Sequence, residues 1–105
     1  MENININTIL SVDPVSVVLQ GERNSTQSGK FTITNIGNTE FNCRSITKSC
    51  GCTMPEGIQA GSIIAPGASL DLTFTIDLKT PGTKYIYLFG NLEENISLPI
   101  HLNII

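Results

Sequence analysis

The sequence predicts an all-β chain folded as a single antiparallel β-sandwich of about seven strands. Three observations lead there. Every periodic segment alternates apolar and polar residues with period two, and no stretch holds an i, i+3, i+4, i+7 stripe over a helical length. Turn-forming dipeptides fall between the alternating segments: Gly37-Asn38, Pro66-Gly67, Pro81-Gly82 and Gly90-Asn91, with Pro55-Glu56-Gly57 as a further turn. At 105 residues, 40% hydrophobic and only 14% charged, the chain makes one domain and is too short for a doubly wound cofactor fold with a second domain.

In chain order, Asn3–Leu10 sets Ile4 and Ile6 against Asn3, Asn5 and Asn7, ahead of the Asp13-Pro14 break. It reads either as an edge strand of the same molecule or as an arm that adds a strand to a neighbouring subunit. Residues 1–14 are therefore an N-terminal arm or edge strand, and 15–105 the sandwich domain. Strands are expected at Val15–Leu19, at Lys30–Asn35 (Phe31 and Ile33 inward) and at Phe41–Thr47. Ile58–Ile64 follows, and then the clearest alternation, Ser69–Leu78, with Leu70, Leu72, Phe74, Ile76 and Leu78 on one face. Lys84–Phe89 is apolar on both faces. In the last strand, Ile96–Ile104, Pro99 has no N–H for a ladder, so the strand is an edge there or bulges. There is no linker, internal repeat or low-complexity segment.

Charge removes whole classes of function. Six Lys and Arg against nine Asp and Glu give −3, and the basic residues are scattered singly, so the basic stripe of a nucleic-acid binder is absent. No apolar run approaches the ~18–20 residues of a membrane-spanning helix. Met1–Asn7 lacks the basic and continuous apolar regions of a secretory leader. The expectation is a chain used without export, or one whose leader has been removed.

Cys43, Cys50 and Cys52 are the only cysteines and His101 the only histidine. Four ligands for zinc would require all of them to converge, and neither a second C-x-C nor a C-x-x-C exists. A redox pair at Cys50 and Cys52 would close a small, easily reduced ring. The simpler expectation is a core thiol at Cys43 and two thiols packed at a turn, since the odd count makes no neat disulfide framework. One histidine supplies no Ser/His/Asp or Cys/His set, the carboxylates Glu93-Glu94 and Asp71/Asp77 read as solvated, and no Gly-rich phosphate loop is present. No enzyme, metal, cofactor or small-molecule substrate is expected.

Phe31-Thr32-Ile33-Thr34-Asn35-Ile36-Gly37, the strand around Phe41 and Cys43, Ser49-Cys50-Gly51-Cys52-Thr53 and the turn Ile64-Ala65-Pro66-Gly67 follow one another in order. In that arrangement they resemble a bacterial family of unknown function carrying a Ser-Cys-Gly-Cys-Thr segment. That family is an immunoglobulin-like sandwich related to Hydin-type and major-sperm-protein-like domains. The resemblance covers roughly residues 30–104 and implies that fold. Its motif residues here are Asn35, Gly37, Ser49, Cys50, Gly51, Cys52, Thr53, Pro66 and Gly67, with Gly82 and Asn91 matching later positions. It brings no catalytic residues.

With Ile86 and Leu88 facing the core, as the resemblance implies, Tyr85, Tyr87 and Phe89 share the opposite face of their strand. Three aromatics there point to an interaction surface, the alternative being an outer face covered by a loop. Tyr85, Tyr87 and Phe89, with Ile4 and Ile6 of the arm, are the candidate contact residues. The expected function is a non-enzymatic structural or interaction module with a protein partner. By analogy with immunoglobulin-like domains on phage capsids and tails, the expectation is an auxiliary virion protein that decorates a capsid. An exported periplasmic or cell-surface binding domain is the alternative, and a thiol-redox or metal-binding protein a second.

Overall fold

A computed structural model describes residues 10–92 and 95–105. These form nine strands: β1 (Leu10–Asp13), β2 (Val17–Gly21), β3 (Thr26–Asn35), β4 (Phe41–Lys48), β5 (Thr53–Glu56), β6 (Ile63–Ile64), β7 (Ser69–Asp77), β8 (Gly82–Gly90) and β9 (Ile96–Ile104). One sheet has the order β1-β3-β7-β5 and the other β2-β9-β8-β4-β6. The two pack face to face as the predicted sandwich.

Alternation decides what each strand buries. Phe31 and Ile33 of β3 and Leu72, Phe74 and Ile76 of β7 point inward from the first sheet. Cys43 of β4, Ile86 and Leu88 of β8, and Leu98, Ile100 and Leu102 of β9 meet them from the second. Each large side chain buried this way contributes about 1.5–3 kcal/mol. Phe31 and Phe74 lie with ring centroids 5.8 Å apart. The ring of Phe41 occupies the space where any Cβ at Gly90 would sit, so this strand end requires glycine.

Four local outcomes differ from the expectations. The chain crosses from the first sheet to the second between β1 and β2, through a cis Asp13–Pro14 bond, and β2 then runs parallel to β9. One parallel pair therefore sits in an otherwise antiparallel fold. Val15 stays outside β2 and is exposed. The segment expected as a strand over Ile58–Ile64 forms a strand only at Ile63–Ile64, because Gly57 and Gly61 have φ of 96° and 94° and turn the chain around the buried Ile58. Finally, Pro55 lies inside the short edge strand β5, opposite Phe74, and the turn begins at Gly57.

Pro99 is where its chemistry requires it. Tyr85 N–H and C=O both engage Ser49, just past the end of β4, so Tyr85–Pro99 is a non-hydrogen-bonded pair and the proline nitrogen points away from β8. On that side β2 begins only opposite Ile100, leaving β9 an edge at Pro99.

Of the stretch Asn3–Leu10 only Leu10 is described; it starts β1 and pairs with Asn35. Ile4 and Ile6, like Glu93-Glu94, lie outside the described residues.

Candidate interaction face and cysteine turn

The structure distributes the motif residues between scaffold and surface. Asn35 is fully buried at the end of β3 and ties three segments together. Its Nδ2 donates to the carbonyls of Thr39 and Ile64, each at 2.8 Å, and its Oδ1 accepts from Gly37 N–H at 2.9 Å. Gly67 N–H donates to Asn35 O at 2.7 Å, and Ala65-Pro66-Gly67-Ala68 closes a turn in which Gly67 has φ 83°. Asn91 plays a similar part at the start of β4, accepting from Asn42 N–H and donating to Glu40 O. Asn35, Gly37, Pro66 and Gly67 are thus joints between strands.

The aromatic row stands on the outer face of the five-stranded sheet. Ile86 and Leu88 are fully buried, and Tyr85, Tyr87 and Phe89 take the opposite side of β8, as the alternation requires. Tyr85 and Tyr87 stack with centroids 5.8 Å apart and planes 15° apart. Small residues flank them: Pro99 and Ser97 on β9, Thr47 and Ser45 on β4. Phe89 is 37% exposed and Val18 on β2 63% exposed. His101 sits opposite Val18, its Nδ1 2.9 Å from Thr83 Oγ1. His101 is therefore on the outer face whereas Cys43 is on the inner one, which keeps them from sharing a metal. Among the described residues no group of three His, Cys, Asp or Glu is placed to hold an ion.

Two properties of this sheet do not follow from local sequence pattern. The strands of the five-stranded sheet contain Arg44, Lys48 and Lys84 and no Asp or Glu, whereas those of the other sheet contain Asp13, Glu56, Asp71 and Asp77 with one cation, Lys30. The net charge of −3 conceals a molecule with one cationic and one acidic sheet. The carboxylate-free stretches 41–52 and 78–92 carried that signal. Second, β6 covers β4 only to Asn42, with Ser62 and Gly61 bonding Cys43. A bulge at Arg44 follows, and from there to Lys48 no described strand pairs with the outer edge of β4. The ladder alternation turns the main-chain groups of Ile46 and Lys48 toward that open side.

The cysteines depart from expectation. Cys50 and Cys52 form a disulfide across one residue, not two turn-packed thiols. The geometry allows it because the chain bends at Gly51, bringing the two Cα atoms to 5.1 Å. Cys43 is the core thiol expected, 4% exposed, and burial pushes its pKa above the ordinary value.

Solved structures of similar shape confirm the sandwich. A protein of unknown function from Porphyromonas gingivalis W83 superposes with a TM-score of 0.71 at 15% identity, over 90% of this chain and 47% of its own. WR4, a major-sperm-protein family member of C. elegans, gives 0.72 at 9% identity, over 91% of this chain and 99% of its own. VesC, a secreted serine protease from Vibrio cholerae, gives 0.57 at 17% identity, over 81% of this chain but 21% of its own. The chain thus spans about half of the first protein's length and about a fifth of the protease's. At these identities the likeness is one of fold, an immunoglobulin-like sandwich of the major-sperm-protein kind. Comparison with curated proteins finds no match. Over residues 16–104 the sequence matches the family of proteins of unknown function DUF1573, and the chain belongs to that family.

Proposed function

We propose that this protein is a non-enzymatic interaction module that docks a protein partner on the outer face of its five-stranded sheet. The observation that carries the reading is the row Tyr85, Tyr87 and Phe89 on the outer face of β8, the two tyrosines half-buried and Phe89 37% exposed. Rigid aromatics bury large area at little entropic cost, and tyrosine and arginine are enriched at interface centres. The partner presents apolar groups to this row; the alternation puts Lys48, opposite Ile86, and Lys84 on the other side of the sheet. The Ser49–Thr53 segment is, on this reading, a signature of the narrower group that the sequence resembles.

Two settings suit such a module: a capsid-decorating virion protein and an exported periplasmic or cell-surface domain. The disulfide favours a location outside the reducing cytosol, and secretion of the V. cholerae protease that shares the fold supports the exported setting. The virion setting rests on fold-level analogy.

The test is affinity capture from the native source with wild type, Tyr87→Ala and, on the other sheet, Thr73→Ala. Tyr87 is flanked by Ser97 and Thr47, so its truncation opens no core cavity and costs only the stack on Tyr85, about 0.5–1.5 kcal/mol. The expected result is partner recovery reduced at least tenfold by Tyr87→Ala and unchanged by Thr73→Ala. Equal recovery with all three proteins refutes the docking face. Quantitative recovery from periplasmic extract or from density-banded phage particles decides the setting.

A further inference from the structure

We propose that Cys50–Cys52 is a redox couple, exchanging with the dithiol of a partner oxidoreductase while the sandwich stays folded. The bond joins no distant elements, since it closes a loop of Cys50, Gly51 and Cys52 alone. The turn is already anchored to both sheets by its main chain. Ser49 N–H donates to Tyr85 O and Tyr85 N–H to Ser49 Oγ on one side, and Asp77 N–H donates to Cys52 O on the other, each at 2.9 Å. Thr53 N–H to Cys50 O, at 3.2 Å, closes the turn itself. None of these bonds requires the two sulfurs to be joined.

The surroundings suit exchange. Gly51 is exposed and a Cβ built there meets no atom within 4 Å, so a second protein can approach over it. Each sulfur has a donor: Cys52 N–H lies 3.1 Å from Cys50 Sγ, and the hydroxyl of the fully buried Thr53 lies 3.9 Å from Cys52 Sγ. Hydrogen bonds of this kind favour the thiolate. Lys48 ends β4 two residues before Cys50, and Lys84 precedes Tyr85, the residue bonded to Ser49. From β7 the neighbouring carboxylate is Asp77, whose Oδ1 accepts the Thr26 hydroxyl. Cys43 is buried in the core and takes no part.

Cys52 packs against the core, which leaves Cys50 as the sulfur open to attack. A thiolate of the partner's dithiol bonds to Cys50 Sγ as the Cys50–Cys52 bond breaks, and the electron pair leaves on Cys52 Sγ beside the Thr53 hydroxyl. The partner's second thiol then attacks its own sulfur in the mixed disulfide, releasing Cys50 as a thiolate that receives the Cys52 N–H. Two electrons pass to this protein, the proton of the partner's second thiol ends on one of the two released sulfurs, the other remaining a thiolate, and the partner is left as a disulfide.

The test incubates the folded wild-type protein in glutathione buffers of graded ratio, with dithiothreitol as the dithiol probe. It reads alkylation of each cysteine by mass spectrometry and the fold by circular dichroism. The expected result is reversible opening, with Cys50 and Cys52 labelled, Cys43 unlabelled and the fold intact, and re-closure by oxidised glutathione. In Cys52→Ser the Cys50 thiol alkylates at pH 7 at least tenfold faster than an ordinary cysteine thiol. Labelling of Cys43 together with the pair overturns the proposal, since opening then requires unfolding. A Cys50 pH profile at or above the ordinary thiol value overturns it as well. If Cys52→Ser does not fold, the wild-type labelling pattern decides alone. Because no docking partner enters the assay, its outcome is independent of the interaction reading.

Discussion

Replacing Asn35 with alanine is expected to weaken the fold severely without touching any surface. The side chain supplies two donors and one acceptor, to Thr39 O, Ile64 O and Gly37 N–H, from a fully buried position. Each such bond contributes about 0.5–1.5 kcal/mol net, at the upper end here because the buried side chain's partners cannot turn to water. The combined loss is about 3–4 kcal/mol, a large share of the roughly 5–15 kcal/mol that stabilises a domain of this size. Urea unfolding followed by circular dichroism reads the loss as a fall in midpoint of about 2 M, with slopes of about 1–3 kcal/mol/M typical for small proteins. Asn35→Asp keeps the acceptor for Gly37 but loses both donors, and is expected to fall nearly as far. A loss below about 1 kcal/mol in the alanine variant refutes the reasoning, because the segments would then be held by something other than this side chain.

Two further perturbations probe the cysteines. Serine at both Cys50 and Cys52 is expected to cost no more than about 1.5–2 kcal/mol, since closing a three-residue loop restrains the unfolded chain only slightly; calorimetry or urea unfolding measures this, and a larger loss makes the bond a structural staple. For Cys43, burial raises the folded-state pKa above the unfolded value near 9.0, so above that pH the unfolded chain loses its proton first. Stability from this group is fully present below pH 9 and declines as pH rises through the folded pKa; Cys43→Val is expected to flatten that alkaline limb in unfolding curves, and an unchanged limb contradicts the assignment.

The sandwich was legible because β7 and β9 carry strict alternation and β8 a continuous apolar run, and all three appear within a residue or two of where the pattern put them. The strands that escaped detection are short ones. β5 is four residues around a proline, and its strand character comes from pairing with β7 and not from its own composition. Ile58 misled because a buried apolar residue in a glycine-flanked loop looks like a strand residue. The parallel β2–β9 pair is a matter of topology, which local pattern does not encode. The aromatic row followed from period two once Ile86 and Leu88 were placed inward. The disulfide did not follow, because spacing alone leaves a C-x-C free to be either thiols or a bond. The cationic character of the five-stranded sheet needed strand order, which brings Arg44, Lys48 and Lys84 into one sheet from separate segments.

Site-specific photocrosslinking tests the docking face most directly. A photoreactive side chain placed at Phe89 or at Thr47 reports on the outer face of the five-stranded sheet, and one placed at Thr32 or Thr73 on the outer face of the other. With the four proteins supplied to the native source, a single protein adduct is expected from Phe89 and Thr47. Thr32 and Thr73 are expected to give none. Adducts at equal yield from both faces, or from Thr32 and Thr73 alone, contradict the account.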